Sequence, residues 1–325
     1  MKKTLIALAI LTVSGASFAQ STVSLSGKMR FAYEATDVNT AGTAAKASGI
    51  RVTDGDFVLT AVEDLGAGLK ATASMAVQSR GRDTAIAGRD ASLSLAGNFG
   101  SVMIGSVEAG NGIIGLGGAG AYVYGMDGSV IAAASNVDII KYTTPALVPG
   151  LTASFSLIDK TAASLTNTLS MDSTALDQDA NVIGLNYANG PLAAAFDFTS
   201  YGRNAVTGTV ADDRTRVSAS YDLGVAKLGF GYQVAATTAA TNNKTKDMIV
   251  GVNVPMGALS LGMNYATSQA DGQVKVKGYD LGAKYDLSKR TFVAFNYQDV
   301  DNRAGSTIGA TSDNSKYRIQ LGHSF

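Results

Sequence analysis

The sequence predicts an all-β chain whose strands close into a 16-stranded antiparallel transmembrane β-barrel. Three observations predict it. Apolar and polar residues alternate with a period of two from end to end, the connections alternate between short and long, and an export signal precedes a chain without cysteine.

The export signal comes first in the chain. Lys2 and Lys3 precede an apolar run from Leu5 to Val13 that only Thr12 breaks, and Ser17-Phe18-Ala19 places small residues where a signal peptidase reads. The run is well short of the ~20 residues of a spanning helix. A secretory signal peptide over residues 1–19 is therefore expected, cleaved after Ala19, with residues 20–325 forming one barrel domain. The absence of cysteine rules out disulfides, thiolate catalysis and every Cys-based metal site. The 26 basic and 26 acidic residues balance, and without Lys2 and Lys3 the chain is slightly acidic. A nucleic-acid partner calls for a basic excess that is missing here. Gly is abundant at 37, Pro scarce at 4, and the large aliphatic residues are too scattered to fill one interior core. Such a chain can be well ordered if its apolar side chains face outward into lipid.

The alternation is explicit in the first stretch. Val23, Leu25, Gly27, Met29, Phe31 and Tyr33 form one face, and Ser24, Ser26, Lys28, Arg30, Ala32 and Glu34 the other. A soluble sandwich strand shows the same pattern, so the weight lies in repetition. Leu69, Ala71, Ala73, Met75 and Val77 alternate with Lys70, Thr72, Ser74, Ala76 and Gln78. Val217, Ala219 and Tyr221 alternate with Arg216, Ser218 and Ser220, and Tyr317, Ile319 and Leu321 with Lys316, Arg318 and Gln320. The polar face carries charges that a packed soluble core does not tolerate unpaired.

Short turns rich in Gly, Pro, Asn and Asp are expected at Glu63 to Gly68, Asn98 to Gly100, Pro145 to Gly150, Asn189 to Pro191, Asp222 to Gly224, Pro255 to Gly257 and Asp286 to Lys289. Longer polar stretches separate them: Ala35 to Gly49, Ser79 to Gly88, Val107 to Val137, Lys160 to Asp179, Tyr201 to Asp212, Ala236 to Lys246, Ser268 to Lys275 and Val300 to Asn314. These joints define sixteen strands. An open edge in lipid leaves backbone groups unpaired, so the strand ending at Phe325 must pair with the one starting near Val23. A barrel of ~16 strands is too wide for its own side chains to plug and leaves an aqueous channel.

Several short stretches carry a family resemblance. They are Ala19-Gln20-Ser21-Thr22-Val23-Ser24-Leu25, Val62-Glu63-Asp64-Leu65-Gly66-Ala67-Gly68-Leu69-Lys70-Ala71, Gly97-Asn98-Phe99-Gly100-Ser101-Val102-Met103-Ile104-Gly105, Ile140-Lys141-Tyr142-Thr143-Thr144-Pro145, Tyr285-Asp286-Leu287-Ser288-Lys289-Arg290-Thr291 and Leu321-Gly322-His323-Ser324-Phe325. In this order and spacing, over the whole mature length, the chain resembles the Gram-negative general diffusion porins of the trimeric type, closest to their β-proteobacterial branch.

The resemblance implies an outer-membrane homotrimer among lipids and lipopolysaccharide, passing small hydrophilic solutes and ions by passive diffusion. It implies a third loop folded into the lumen, and a terminal Phe325 read by the outer-membrane assembly machinery. Mapped here, that loop is Val107 to Val137, with Glu108 and Asp127 as its acidic residues. The facing basic residues include Lys28, Arg30, Lys70, Arg80 and Lys141, with Arg214 and Arg216 further round. Opposed charges across a narrow neck favour polar solutes. Asp56, Ser106 and Gly322 stand where the family usually has Arg, which leaves the sign of the ion preference open. A substrate-selective porin for carboxylates or sugars is an alternative, as is a non-conducting barrel serving as adhesin or structural anchor.

Other signals carry less. Gly115-Leu116-Gly117-Gly118-Ala119-Gly120 fits G-x-G-x-x-G, but Tyr122 to Ser135 has no helical stripe and βαβ units are absent, so flexible loop glycine is the expected reading. His323 is the single histidine and shares parity with Leu321 and Phe325, which suits a membrane rim and not a catalytic triad. Asp172, Asp177 and Asp179 lack EF-hand spacing, so a solvated acidic loop is expected rather than a Ca²⁺ site. No enzyme activity, cofactor or metal is expected.

Overall fold

The computed structural model describes residues 21–40, 43–81, 86–109, 111–120, 122–132, 135–159, 180–201, 211–237, 243–301 and 312–325. The expected signal peptide, residues 1–19, and Asp172, Asp177 and Asp179 lie outside them. The strands are β1 Thr22–Thr40, β2 Thr43–Gly66, β3 Leu69–Gln78, β4 Ala87–Gly97, β5 Gly100–Ala109, β6 Ser135–Thr143, β7 Leu151–Asp159 and β8 Ala180–Asn189. They continue as β9 Leu192–Tyr201, β10 Ala211–Asp222, β11 Lys227–Thr237, β12 Lys244–Met256, β13 Leu259–Ala270, β14 Val276–Asp286, β15 Thr291–Asp301 and β16 Ser312–Ser324. A short helix, α1 Gly112–Gly117, follows β5. Each strand pairs antiparallel with its sequence neighbours, and β1 pairs with β16, so the sheet is a closed barrel.

Closure runs from Lys28↔Ser324 to Thr40↔Ser312. At its lower end Phe325 and Gly27 exchange both backbone hydrogen bonds, each N–H donating to the other's carbonyl at 3.0 Å. The Phe325 ring lies against Phe57, with centroids 5.7 Å apart. It also covers Gly27, where a Cβ would sit 2.5 Å from the ring and 2.6 Å from the Asp56 carbonyl oxygen.

The two faces are those of the sequence pattern. Leu25 is 63% exposed and Ile319 58%, whereas Ala32 is 3% and Gln320 2%. Large apolar side chains thus point outward, as they do in a wall surrounded by hydrocarbon. Exposed Tyr33, Tyr142, Tyr221, Tyr285 and Tyr317 join them. His323 is exposed beside Leu321 and lies 2.9 Å from Thr291 Oγ1 through Nδ1, outside any triad.

Every expected long loop except Lys160 to Asp179 is shorter in the structure, and three show how. Ala35 to Gly49 is not a loop: β1 and β2 run through it, and only residues 41–42 separate them. Ser268 to Lys275 shrinks to Asp271–Lys275 because β13 reaches Ala270. The third connection is 110–134, since β5 extends to Ala109 and β6 starts at Ser135. In each case backbone pairing continues through small polar residues whose composition looks loop-like. Tertiary pairing outweighs local propensity there.

Gly27→Val should weaken the seam, because the clash is with backbone as well as ring. We expect a loss of about 1–3 kcal/mol, seen as a smaller fraction of folded, heat-modifiable barrel in gel electrophoresis. Gly49→Val, which has open space around its Cβ, should fold like wild type.

Candidate functional site

The polar face of the wall and the segment between β5 and β6 form one packed unit. Asn111 starts α1 by accepting the Ile113 N–H on its side chain. Ser218 on β10 donates to the Gly112 carbonyl at 3.2 Å. Beyond the helix, the Gly120 N–H donates to Asn264 Oδ1 on β13 (2.9 Å) and the Gly125 N–H to Asp280 Oδ2 on β14 (2.8 Å). Gln298 on β15 returns a bond to the Gly125 carbonyl and accepts one from Ser129. The segment therefore follows the polar-parity side chains across β10 to β15.

Glycine makes this contact close. A Cβ on Gly229 would lie 2.3 Å from the Leu116 carbonyl oxygen, one on Gly231 2.5 Å from that of Ile113, and one on Gly251 2.4 Å from the Ala119 nitrogen. From Leu116 to Gly120 the run is thus packed backbone against the wall, with only Gly115 in open space, which corrects the expectation of flexible loop glycine. A second correction concerns the wall itself. Its inner face is partly apolar where the segment lies: Ile113, Met126, Val130 and Ile131 are buried with Ile249, Ala266, Val276 and Val300. Burying a side chain of that size contributes about 1.5–3 kcal/mol.

Two tyrosines complete the anchoring. Tyr122 has a positive φ of 51°, a conformation that a bulky residue keeps only when its surroundings hold it. Its hydroxyl donates to Gln320 Oε1 at 2.6 Å, its carbonyl accepts from the Asn296 amide, and its ring meets Phe292 edge-on at 4.4 Å. Burial pushes the Tyr122 hydroxyl up to about 12, the nearby guanidinium groups of Arg30 and Arg318 opposing it. The Tyr124 hydroxyl donates to Glu34 Oε2 (3.1 Å) and is held well above the usual tyrosine range, by burial first and by the Glu34 carboxylate next. Both therefore remain neutral donors at physiological pH.

The sequence-derived residues fall into different places. Lys28 pairs with Asp54 (3.2 Å) and Asp56 (3.0 Å), and Arg30 with Asp54 (2.9 Å). Arg216 pairs with Asp197 at 2.7 Å, beside Gly112. Arg214 donates to Thr199 Oγ1, its guanidinium 5.8 Å from the Tyr201 ring, and its Nε is buried without an acceptor. Lys70 and Lys141 lie on the polar parity of β3 and β6, and Arg80 follows the end of β3. Asp127 is exposed in the segment and bridges by backbone to Ile131. Glu108 is elsewhere: it belongs to β5, on the outward parity of Ile104, and pairs with Arg89 at 3.3 Å. The strand runs past Val107 to Ala109, so Glu108 belongs to the wall and not to the loop. Phe325 closes the seam.

The wall also holds charges that the sequence reading did not single out. Arg51 pairs with Glu34 at 2.8 Å. Lys284 and Arg30 approach both the Tyr122 and Phe292 rings, and Lys316 and Arg318 the Tyr124 ring. Lys316 and Arg318 were visible as polar-parity residues of the last strand, but only the docked segment distinguishes them from others of that parity. The three family departures also acquire reasons. Asp56 engages Lys28 and Gln78. Gly322 makes room for the Phe292 ring, 2.2 Å from a Cβ placed there. Ser106 has the outward parity of Ile104, so a basic residue there would not face the interior. Among the described residues no cluster of His, Cys, Asp or Glu could hold a metal ion.

Comparison with known proteins agrees with this geometry. The family model for Gram-negative porins matches residues 4–305. Outer membrane porin protein 32 of Delftia acidovorans is 30% identical over 343 residues, covering 95% of this chain and 92% of that one. An outer membrane porin protein of Bordetella pertussis is 28% identical, covering 95% and 98%. Among solved structures, an anion-selective porin from Comamonas acidovorans superposes with a TM-score of 0.72 at 23% identity, covering 94% of this chain and 100% of that one. A closed sixteen-stranded wall, apolar outside and charged inside, and a family match over most of its length together make this chain a member of the Gram-negative porin family, an outer-membrane barrel that forms a water-filled channel for passive diffusion.

Proposed function

We propose that this porin passes small hydrophilic solutes without any chemical step, prefers anions, and is narrowed by the segment 111–132 lying within its bore. One observation carries the preference. Glu34, Asp54, Asp56 and Asp197 each already face a Lys or Arg, whereas none of the described ion pairs engages Lys141, Arg214 or Arg318. Asp247 and Asp280 also lie outside these pairs, but both are buried and accept from amide donors, Gln233 for the one and the Gly125 and Asn264 N–H groups for the other, so the charge left facing the open lining is read as positive. A positive field in a water-filled constriction raises the local concentration of anions. The Comamonas acidovorans porin of similar fold is described as anion-selective, which supports the same reading.

The narrowing is supported by where the segment is fastened. Its partners Ser218, Asn264, Asp280, Gln298 and Gln320 belong to one arc of the ring, β10 to β16, and all lie on the face opposite the apolar exterior. The neighbouring Vibrio cholerae outer-membrane protein OmpT is described in a trimer form, and a homotrimer is the assembly we propose here. Export by the leader 1–19 and recognition of Phe325 during membrane insertion belong to the same proposal.

In planar bilayers the protein should open in conductance steps, with a reversal potential of anionic sign under a salt gradient. Arg214→Gln should lower the anion-to-cation permeability ratio about fourfold, the effect of a unit charge roughly 10 Å away in water being about twofold on each ion and of opposite sense. A cationic reversal potential in wild type would sink the preference. Gly231→Val, which drives a side chain into Ile113, should alter single-channel conductance and noise while the barrel stays folded. An unchanged current trace would mean that the segment does not border the conducting path.

A further inference from the structure

Glu34 on β1 and Arg318 on β16 are direct cross-strand partners. Opposite charges so placed ordinarily pair. Here they turn apart. The Glu34 carboxylate accepts from Arg51 Nη1 (2.8 Å) and from the Tyr124 hydroxyl (3.1 Å). Arg318 instead donates from Nε to Asn296 Oδ1 (2.7 Å), and its Cζ lies 4.2 Å from the Tyr124 ring centroid. The same ring has Lys316 Nζ at 4.4 Å. One side chain of the segment therefore touches both members of the missing ion pair.

The geometry points to Tyr124 as a positioning residue for selectivity, its ring holding the Arg318 guanidinium off the Glu34 carboxylate so that the outer N–H groups of Arg318 remain free for passing anions. This rests on the anion preference proposed above and identifies a contact that produces it. A guanidinium is planar and weakly hydrated, so it stacks well on an aromatic face. Stacking leaves its Nη donors unspent, whereas a two-pronged pair with a carboxylate consumes them. Those donors suit oxyanions such as carboxylates, which accept the same fork. Asn296 fixes the Nε side of the group, and the bond from Arg51 holds the Glu34 carboxylate. Without the ring, the shortest route for Arg318 is onto Glu34.

The test is a double-mutant cycle read in planar bilayers. Wild type, Tyr124→Phe, Tyr124→Leu, Glu34→Gln and Tyr124→Leu combined with Glu34→Gln are compared in chloride and in acetate salts. Each is first checked for a folded, heat-modifiable barrel. Tyr124→Phe keeps the ring and should retain the wild-type permeability ratio. Tyr124→Leu should lower the ratio about twofold, more in acetate than in chloride. In the Glu34→Gln background the same Leu substitution should have no effect, because no carboxylate is left to capture Arg318. An equal drop in both backgrounds would reduce Tyr124 to a structural prop of the segment and overturn the inference, as would a Tyr124→Leu channel that matches wild type. A cation-preferring wild type would overturn the pore reading instead, and the cycle would still report whether Tyr124 acts through Glu34.

Discussion

Pairing of β1 with β16 is the constraint on which everything else rests. A sheet in hydrocarbon has no water to satisfy its edges, so each backbone group needs a partner in a neighbouring strand. Closing the ring provides the last set. It also divides every strand into two populations with opposite requirements, because successive side chains point to opposite faces. Leu25 and Ile319 can then be exposed at no cost, since what they meet is apolar. Lys28, Arg30 and Arg216 can sit inside, since what they meet is polar. The seam at Gly27 and Phe325 is where this arrangement depends on single residues, a missing side chain on one strand and a ring on the other.

The inner face is not uniform. Across β10 to β15 it is a docking surface, with glycines that admit a second backbone and with Ile249, Ala266, Val276 and Val300 forming a small apolar core with the segment. Elsewhere it is a charged lining in which most carboxylates are matched to a cation. The two regions meet near Tyr122 and Tyr124, whose rings belong to the docked segment and whose neighbours Arg30, Lys284, Lys316 and Arg318 belong to the lining. Packing and electrostatics are therefore joined at two side chains.

Alternation and turn chemistry made the barrel legible, because a period of two is imposed by geometry on every strand and survives in the residue order. Boundaries were harder. Residues 35–49 are small and polar, yet 35–40 pair with 43–48 in a hairpin and with 312–317 on β16, a pairing that composition does not record. Glu108 could have been placed by following Ile104 and Ser106 outward, had the strand been carried to Ala109. The glycines at 229, 231 and 251 have a purpose that exists only in the folded chain, where Leu116, Ile113 and Ala119 press against them. Lys316 and Arg318 had the right parity, yet parity assigns a face and not a neighbour.

The glycine bed has a consequence for how such a wall can change over generations. Where the segment meets β11 and β12, the spacing is set by backbone against backbone, and any added side chain pushes the two apart. The charges around it hang on long side chains that can be exchanged one at a time. Spacing and charge are thus under separate control: a Lys, Arg or Asp can be exchanged without moving the segment, whereas a side chain added to the glycine bed displaces it.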